Sequence, residues 1–431
     1  MKTRTRFAPS PTGHVHIGNI RAAIFNWLFA RHTGGQFLLR IEDTDLERST
    51  PEAIRTLLNA MQWLGLNYDE EPLYQTSRSQ AHVAAAERLL ASGHAYKETT
   101  GDRAGCIFFK MPGTDIAFND LVKGALKKPA ADMADFVIVR STGSPVFHLA
   151  NVLDDIEQKI THVIRGDDHV ENTFRHIALY QALGAPVPQF AHLPMIVNAQ
   201  GKPYSKRDGD AFVGDFKTKG FLPETLFNYL ALLGWSPGDG REVMTRDEMV
   251  AAFDLSTVRS SPAQMDLRKL LWMNGEYIRA MQPSVFEEIC RRELTAAGVD
   301  VGENAAGVFA LMQERTKLPS EIVDATKFFF TGDYDYDEKA VQKKLQKDGV
   351  AETLKKISAL FETLPAFDVG TIDKALHQFV EESGLKFGDV MPPLRIAVSG
   401  QQSGPDLAPV LAILGKPETI ARIQKTLKKY F

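Results

Sequence analysis

Two short stretches hold the side chains best suited to a phosphorylated ligand. The first is Arg6-Phe7-Ala8-Pro9-Ser10-Pro11-Thr12-Gly13-His14-Val15-His16-Ile17-Gly18, which reads as a strand, a turn and the mouth of a helix. A helix N-terminus exposes unpaired backbone N–H groups and the positive end of the macrodipole, and both suit a phosphate. The imidazoles add donors for phosphate oxygens, and Gly18 leaves room for a flat base or a ribose against the backbone. The second is Gly201-Lys202-Pro203-Tyr204-Ser205-Lys206-Arg207-Asp208-Gly209, which sets cations and hydroxyls between glycines without apolar periodicity. Such an exposed loop could close on a triphosphate and bring Lys206 to the charge that builds on a departing pyrophosphate. Taken singly, each stretch also fits a plainer description, a histidine-bearing turn or a solvated basic loop.

Two further stretches are less specific. Arg40-Ile41-Glu42-Asp43-Thr44-Asp45 places carboxylates at a strand end, where they could hold an ammonium group or cap the next helix. Phe147-His148-Leu149-Ala150-Asn151, then Asp154-Asp155, then Ile164-Arg165-Gly166-Asp167-Asp168-His169 could supply polar ligands, or could form surface turns between strands.

The elements that must carry these residues follow from periodicity. A short strand is expected over Thr3 to Ala8, ending at the Pro9 to Gly13 turn. From Gly18 onward Ile20, Ile24, Trp27 and Leu28 fall at helical spacing, and Gly34-Gly35 closes that helix. Phe37 to Ile41 reads as a buried strand, and a helix is expected around Pro51 to Leu64, with Pro51 in its first turn. Strand and helix in alternation argue for a doubly wound parallel sheet. Between about Gln80 and Ala150 the pattern turns more β-like, with strands expected at Cys106 to Lys110 and Phe136 to Arg140, as in an insertion. The βα pattern returns at Ile160 to Arg165 and continues through Leu193 to Val197. Beyond about Phe221 the pattern is almost entirely helical.

Bulk properties bound the possibilities. A chain of 431 residues is too long for one ordinary core. The composition, 44% hydrophobic, 24% charged and 9% aromatic, is that of a folded soluble protein. The formal net charge of −4 means that any nucleic-acid contact must come from local basic patches. Lys123, Lys127-Lys128 and Lys425 to Lys429 are such patches, although runs of this kind are usually solvated faces. Cys106 and Cys290 have no metal-ligand spacing and cannot build a disulfide framework. No apolar signal core follows the basic start, and no run is long enough to span a bilayer. A cytoplasmic location is expected.

Together these stretches resemble the motifs of class I aminoacyl-tRNA synthetases of the glutamyl type, in which one histidine-bearing element opens the ATP site and a lysine-serine-lysine loop closes it. The resemblance runs through the chain, including Phe25-Asn26-Trp27-Leu28, Thr161 to Gly166, Gly220 to Glu224, Trp272 to Gly275 and Pro393-Leu394-Arg395. It implies a Rossmann-like doubly wound α/β sheet with an inserted α+β acceptor-binding domain, then an all-α stem-contact and anticodon-binding region. The implied division is 1–79 and 150–213 for the two catalytic halves, 80–149 for the insertion, 214–279 for stem contact and 280–431 for anticodon binding.

Residue by residue, the resemblance implies that Arg6 and Arg165 grip the substrate's γ-carboxylate, a charge filter against glutamine. Ser10, Glu42 and Asn151 match positions holding the α-amino end. His16 and Lys206 match the catalytic nucleotide-binding positions. Pro9, Gly18, Ser205 and Arg207 belong to the same ATP site, and Asp168 and Ile196 match contacts to the nucleoside. Catalysis is then positioning and charge stabilisation, with Mg²⁺ accompanying ATP, and a terminal tRNA ribose hydroxyl takes the aminoacyl group. Arg315 matches the position that reads the last anticodon base in members specific for tRNA-Glu. A monomer is expected.

The sequence departs from the family pattern at three places. Pro203 replaces the first lysine of the closing loop, with Lys202 one place earlier. Phe147 stands where glutamyl enzymes usually carry a substrate-contacting tyrosine. The insertion is short and lacks a cysteine cluster, so no structural zinc is expected. A truncated paralogue that modifies a tRNA base, a glutaminyl enzyme ending in β-barrels, a catalytically dead RNA-binding relative and a small-molecule nucleotidyltransferase are the rivals. The long helical tail argues against all but the RNA-binding relative, and the presence of His16, Lys206 and both arginines argues against that one.

Overall fold

The computed structural model describes the chain except for Met1, Thr12, Leu46, Glu47, Glu303, Asn304 and Asp333. Thr12 of the expected turn therefore lies outside the described residues. The chain divides into two units, residues 1–273 and 274–431.

In the first unit, β1 (Arg4–Phe7) leads into α1 (Ile17–His32) and returns as β2 (Gln36–Ile41), which pairs with β1 in parallel from Arg4↔Gln36 to Phe7↔Leu39. The helix is buried on nearly every side, from Ile17 through Ile24, Phe25 and Leu28, because it lies between the sheet and further helices. Two glycines end it for different reasons. Gly34 takes φ +61°, and a Cβ on Gly35 would sit 2.5 Å from the Thr3 carbonyl. β2 is buried from Phe37 to Ile41, with the fully buried Arg40 among its apolar neighbours. After α2 (Pro51–Trp63), β3 (Leu73–Tyr74) adds to β2, giving the parallel order β1-β2-β3.

The segment expected as an insertion begins with α3 (Ser79–Ala91). It continues as β4 (Ala95–Lys97), β5 (Ile107–Phe109), β6 (Ile116–Asp120), β7 (Gly124–Lys128) and β8 (Phe136–Val139). β4, β5 and β8 form an antiparallel sheet. The β6–β7 hairpin instead joins the edge of a second parallel group, in the order β7-β6-β10-β9. That group is built from α4 (Phe147–Glu157), β9 (His162–Gly166), α5 (Val170–Ala182) and β10 (Gln189–Leu193). The stretch from Phe147 to Asp155 is thus a mostly buried helix rather than the surface turns its polarity allowed.

β1 and β9 meet at their beginnings, where Thr161 N donates to Arg4 O at 3.0 Å. They share no ladder among the described residues. Asn26 of α1 instead bonds this buried edge of β9, donating to Ile164 O at 2.8 Å. From this seam β1 proceeds through α1 to β2 on one side, and β9 through α5 to β10 on the other. In doubly wound sheets such a reversal leaves a crevice beyond the carboxyl ends of the strands.

The run from Leu193 to Val197 is broken after β10 by Pro194-Met195, and the short β11 (Ile196–Val197) pairs in parallel with β12 (Ala263–Gln264). β12 interrupts the helical pattern expected after Phe221, which otherwise appears as α6 (Val213–Thr218), α7 (Pro223–Leu232), α8 (Arg246–Ala252) and α9 (Leu267–Ala280).

The second unit is helical. It comprises α10 (Pro283–Ala296), α11 (Ala306–Gln313), α12 (Glu321–Phe330), α13 (Glu338–Ala340), α14 (Val350–Thr363), α15 (Val369–Ser383), α16 (Phe387–Ser399), α17 (Leu407–Leu414) and α18 (Lys416–Tyr430). Its core gathers Leu354, Ile357, Phe361, Ile372, Leu394 and Ile423. Arg422 is buried against it, donating to the carbonyls of Val398 and Phe328 at 2.7 and 2.8 Å. Among the described residues no helix is long and apolar enough to cross a membrane.

Candidate active site

A cavity of about 540 Å³ opens where the seam between β1 and β9 ends. Its wall includes Arg6, Pro9, Ser10, His16, Gly18, Glu42, Phe147, Asn151, Arg165, Asp168 and Ile196, residues drawn from both halves of the sheet. Pro203 and Tyr204 reach it as well, but Ser205, Lys206 and Arg207 do not line it.

One end is a buried ionic cluster. Asp155 of α4 accepts from Arg6 Nε at 3.0 Å and from Arg40 Nη1 at 2.5 Å. Arg40 Nη2 donates to Glu42 at 3.2 Å, and Asn151 Nδ2 donates to the same Glu42 oxygen at 2.8 Å. Burial pushes the Asp155 carboxyl up, but Arg40 and Arg6 outweigh it and hold the group below the usual carboxylate range. Burial prevails at Glu42, whose pKa is raised in spite of Arg40 and Asn151. Asn151 Oδ1 is buried at the cavity wall with no partner, an acceptor that an ammonium group would satisfy.

Arg165, on β9, has only neutral partners. It donates to Thr173 Oγ1 at 2.7 Å, His192 Nε2 at 3.3 Å, and more weakly to His176 Nδ1 and the His169 carbonyl, each at 3.4 Å. Among the described residues no carboxylate stands within ion-pair distance of it. Burial first, then the neighbouring Arg6, bring its pKa down to about 10. Counting Arg6, Arg40 and Arg165 against Asp155 and Glu42, the cluster carries one uncompensated positive charge when both acids are ionised. A buried cation without a counter-ion is costly, and an anionic ligand would relieve that cost.

The imidazoles around Arg165 are held neutral. Burial, with Arg175 and Arg165 nearby, lowers the His148 pKa to about 4, and burial with Arg165 nearby pushes His176 well below the ordinary value. Phe147 packs against His148, His169 and His176, with centroids 5.4–6.0 Å away.

At the mouth of α1, His16 is the N-cap, and its Nδ1 accepts from Gly18 N at 3.1 Å. That bond leaves the ring proton on Nε2, a neutral donor, and burial lowers the His16 pKa. The rest of the first turn differs from expectation. Ile17 N donates to Ala211 O at 2.9 Å, while Asn19 N and Ile20 N donate to His16 O at 3.0 and 3.1 Å. The anticipated free N–H groups are therefore occupied, Ile17 N through the pairing of residues 15–17 with 211–213 and the others by His16 itself. What remains for an anion is the macrodipole, because the ring proton of His16 faces the Tyr204 backbone and is held by it. A Cβ at Gly18 would meet the His16 ring at 3.3 Å, so this glycine keeps the capping imidazole in place.

The same pairing brings the closing loop near. Lys206 Nζ lies 5.8 Å from the centroid of the Phe212 ring, and that ring lies 6.0 Å from the His16 imidazole. The loop is pinned by Asp208, which accepts from Ser205 N and Oγ, both at 2.9 Å, and from Asn198 at 2.7 Å.

Several residues in or behind the wall were given no role by the sequence. Arg21 of α1 is buried in the wall, donating to Leu233 O at 3.1 Å and to Pro194 O, and burial lowers its pKa to about 10. Arg40 and Asp155 fell within stretches singled out for their polarity but without a role of their own, and His192 fell in none. For His192 the hint was a polar residue inside an otherwise apolar run, Phe190-Ala191-His192-Leu193. Arg315 lies in the second unit, on a cavity of about 230 Å³ that it shares with Arg395, Met312, Thr316 and Gln401.

A doubly wound sheet, a cavity at its switch point, a histidine-capped helix and a cationic loop define a nucleotide-binding α/β enzyme. Residues 2–104 and 98–272 match the family model for the catalytic domain of class I tRNA synthetases of the E and Q type, and residues 275–427 match an anticodon-binding domain. Glutamate–tRNA ligase from Xanthomonas euvesicatoria pv. vesicatoria is 41% identical, over 100% of this chain and 99% of its own. Glutamate–tRNA ligase 1 from Caldanaerobacter subterraneus subsp. tengcongensis is 37% identical, over 99% and 98%. The crystal structure of a glutamate–tRNA ligase from Elizabethkingia meningosepticum, solved with its amino acid, superposes with a TM-score of 0.91 at 32% identity, covering 100% of both chains. The chain belongs to the glutamate–tRNA ligase family of class I aminoacyl-tRNA synthetases.

Proposed function

We propose that the cavity between β1 and β9 activates L-glutamate with MgATP and passes the glutamyl group to the 3′-terminal ribose of tRNA-Glu. The observation that carries this reading is Arg165, a buried guanidinium on the cavity wall with only neutral partners. Its charge calls for an anion, and Arg6 beside it adds a second guanidinium edge. Glutamine has the shape but not the charge, so it leaves the cation uncompensated. Glu42, Asn151 Oδ1 and Ser10 offer acceptors for the α-ammonium group, which fixes the amino acid at both ends.

The α-carboxylate then points toward His16. One of its oxygens attacks the α-phosphorus of ATP in line, the bond to the β-phosphate oxygen breaks, and pyrophosphate leaves. His16 Nε2–H, exchanging its bond to the Tyr204 backbone for the ligand, donates to the phosphates without adding a full charge. The α1 macrodipole supports it, and Lys206, carried inward by its loop, meets the charge on the leaving group. Pro9, Gly18, Asp168 and Ile196 hold the nucleotide, with Ser205 and Arg207 approaching as the loop closes. The terminal ribose hydroxyl of tRNA next attacks the adenylate carbonyl and releases AMP. In the second unit Arg315, beside Arg395, reads the last anticodon base and so favours tRNA-Glu. The reading includes a cytoplasmic monomer.

The test is ATP–pyrophosphate exchange and aminoacylation with purified tRNA-Glu and tRNA-Gln, each with glutamate and with glutamine. Glutamate with tRNA-Glu is expected to react. Turnover of glutamine, or none of either amino acid, would sink the reading.

A further inference from the structure

We propose that Asp120 and His192 are positioning residues that orient the Arg165 guanidinium toward the substrate carboxylate, an inference resting on the assignment of Arg165 made above. Asp120 ends β6 and His192 lies in the neighbouring β10, both essentially without solvent exposure. His192 Nδ1 is 2.6 Å from Asp120 Oδ2, while Asp120 Oδ1 accepts from the backbone N–H groups of His192, Val122 and Lys123 at 3.2, 2.9 and 2.8 Å. Burial disfavours ionisation of Asp120, but the His192 and backbone hydrogen bonds prevail and hold its pKa below the usual carboxylate range.

An ionised carboxylate only accepts hydrogen bonds, so the proton sits on His192 Nδ1 and Nε2 is bare. That bare nitrogen faces Arg165 Nε at 3.3 Å and Thr173 Oγ1 at 3.0 Å, and Thr173 Oγ1 in turn accepts from Arg165 Nη2 at 2.7 Å. In the opposite tautomer Nε2–H would meet Nε–H, donor against donor, and the guanidinium would have to turn away. The spacing also settles the charge. Asp120 acts through a neutral ring rather than by contact, so Arg165 is oriented without being neutralised and its charge stays available to a ligand. The hairpin carrying Asp120 has a second tie to the cavity, since Lys123 Nζ bonds Asp167 at 2.8 Å.

The two amide replacements of His192 separate orientation from mere support. His192→Asn puts its amide near the place of Nδ1, where it can bond Asp120 but offers Arg165 no acceptor. His192→Gln puts its amide oxygen near the place of Nε2 and keeps that acceptor. In ATP–pyrophosphate exchange on the full-length chain with tRNA-Glu present, His192→Asn should raise KM for glutamate roughly tenfold or more, the scale of one lost hydrogen bond to a buried charge. KM for ATP should stay within about twofold, since that bond does not touch the nucleotide. His192→Gln should recover most of the loss, to within roughly threefold of wild type. Equal effects of both variants, or no change in KM for glutamate, would overturn the proposal. If the His192 variants do not fold, Asp120→Asn serves, because its amide can donate to Nδ1 and impose the wrong tautomer. An unchanged KM for glutamate in that variant would also overturn it. Arg165→Met in the same assay tells the two levels apart. If it leaves KM for glutamate unchanged, the assignment of Arg165 fails. If it raises KM while His192→Asn does not, only the positioning role fails.

Discussion

Replacing Arg165 by methionine is expected to leave the unliganded protein about as stable as wild type while removing its response to glutamate. The pKa of this guanidinium is lowered to about 10 in the folded protein, against an ordinary 12.5. A lowered folded value means that the native state binds the proton more weakly than the unfolded chain does. At neutral pH, where both states are protonated, the charge therefore costs the native state about 3 kcal/mol, at about 1.4 kcal/mol per pKa unit. Methionine of similar length removes that cost. It also removes the bonds that the charged guanidinium donates to Thr173 and His192, worth together about 3 kcal/mol. The two contributions roughly cancel, so the variant should lie within about 1 kcal/mol of wild type, or roughly 2–4 °C in Tm. Glutamate at about a hundred times its Kd should add about 2.7 kcal/mol to the wild type and nothing to the variant. All four tryptophans, Trp27, Trp63, Trp235 and Trp272, lie in the first unit, so urea unfolding followed by tryptophan fluorescence reports the unit that holds the cavity. A variant less stable by more than about 2 kcal/mol, or one still stabilised by glutamate, would refute the reasoning.

Further outcomes follow from the same geometry. Lys206→Ala, at an exposed loop position, should cut adenylate formation roughly 10²–10³-fold with an unchanged unfolding midpoint, and near-normal exchange rates would remove Lys206 from the mechanism. Phe147→Tyr restores a hydroxyl at the cavity wall, and a lower KM for glutamate, by about fivefold for one neutral hydrogen bond, is the expected result. A higher KM would mean that the ring packing against the three histidines cannot accept the hydroxyl. His16, His148, His169, His176 and His192 all have pKa values below the ordinary 6.5. The unfolded chain thus takes up protons that the native state refuses. Stability should hold above about pH 6.5 and fall from there toward pH 4. His148 alone, with its pKa near 4, should account for about 3 kcal/mol of that loss by pH 4. A flat urea midpoint between pH 7 and 5 would contradict this.

The parts of the site that were legible in the sequence are those whose chemistry is local. A strand, a Pro/Gly turn and a histidine before a helical period announce the mouth of α1, and a glycine-bounded basic run announces the closing loop. Residues supplied by distant segments were not legible. Arg6 meets Asp155 across 149 positions, and His192 meets Asp120 across 72, distances over which no periodicity operates. The same limit explains the mistaken expectation at the α1 mouth. Helix physics says that the first N–H groups are free, and only the fold reveals that Ala211 occupies one of them. The run from Phe147 to Asp155 looked compatible with turns because Asn and Asp are turn formers. As α4 it buries Asn151, Asp154 and Asp155, which bond Glu42, His82, Arg6 and Arg40. In that setting their polarity serves the site rather than a turn.

The most direct measurement is a crystal structure of the protein with a non-hydrolysable glutamyl-adenylate analogue. The side-chain carboxylate is expected within hydrogen-bond distance of Arg165 and Arg6, the ammonium group against Glu42 and Asn151, and the phosphate beside His16 Nε2. An analogue bound elsewhere, or seated with its carboxylate away from both arginines, would contradict the account.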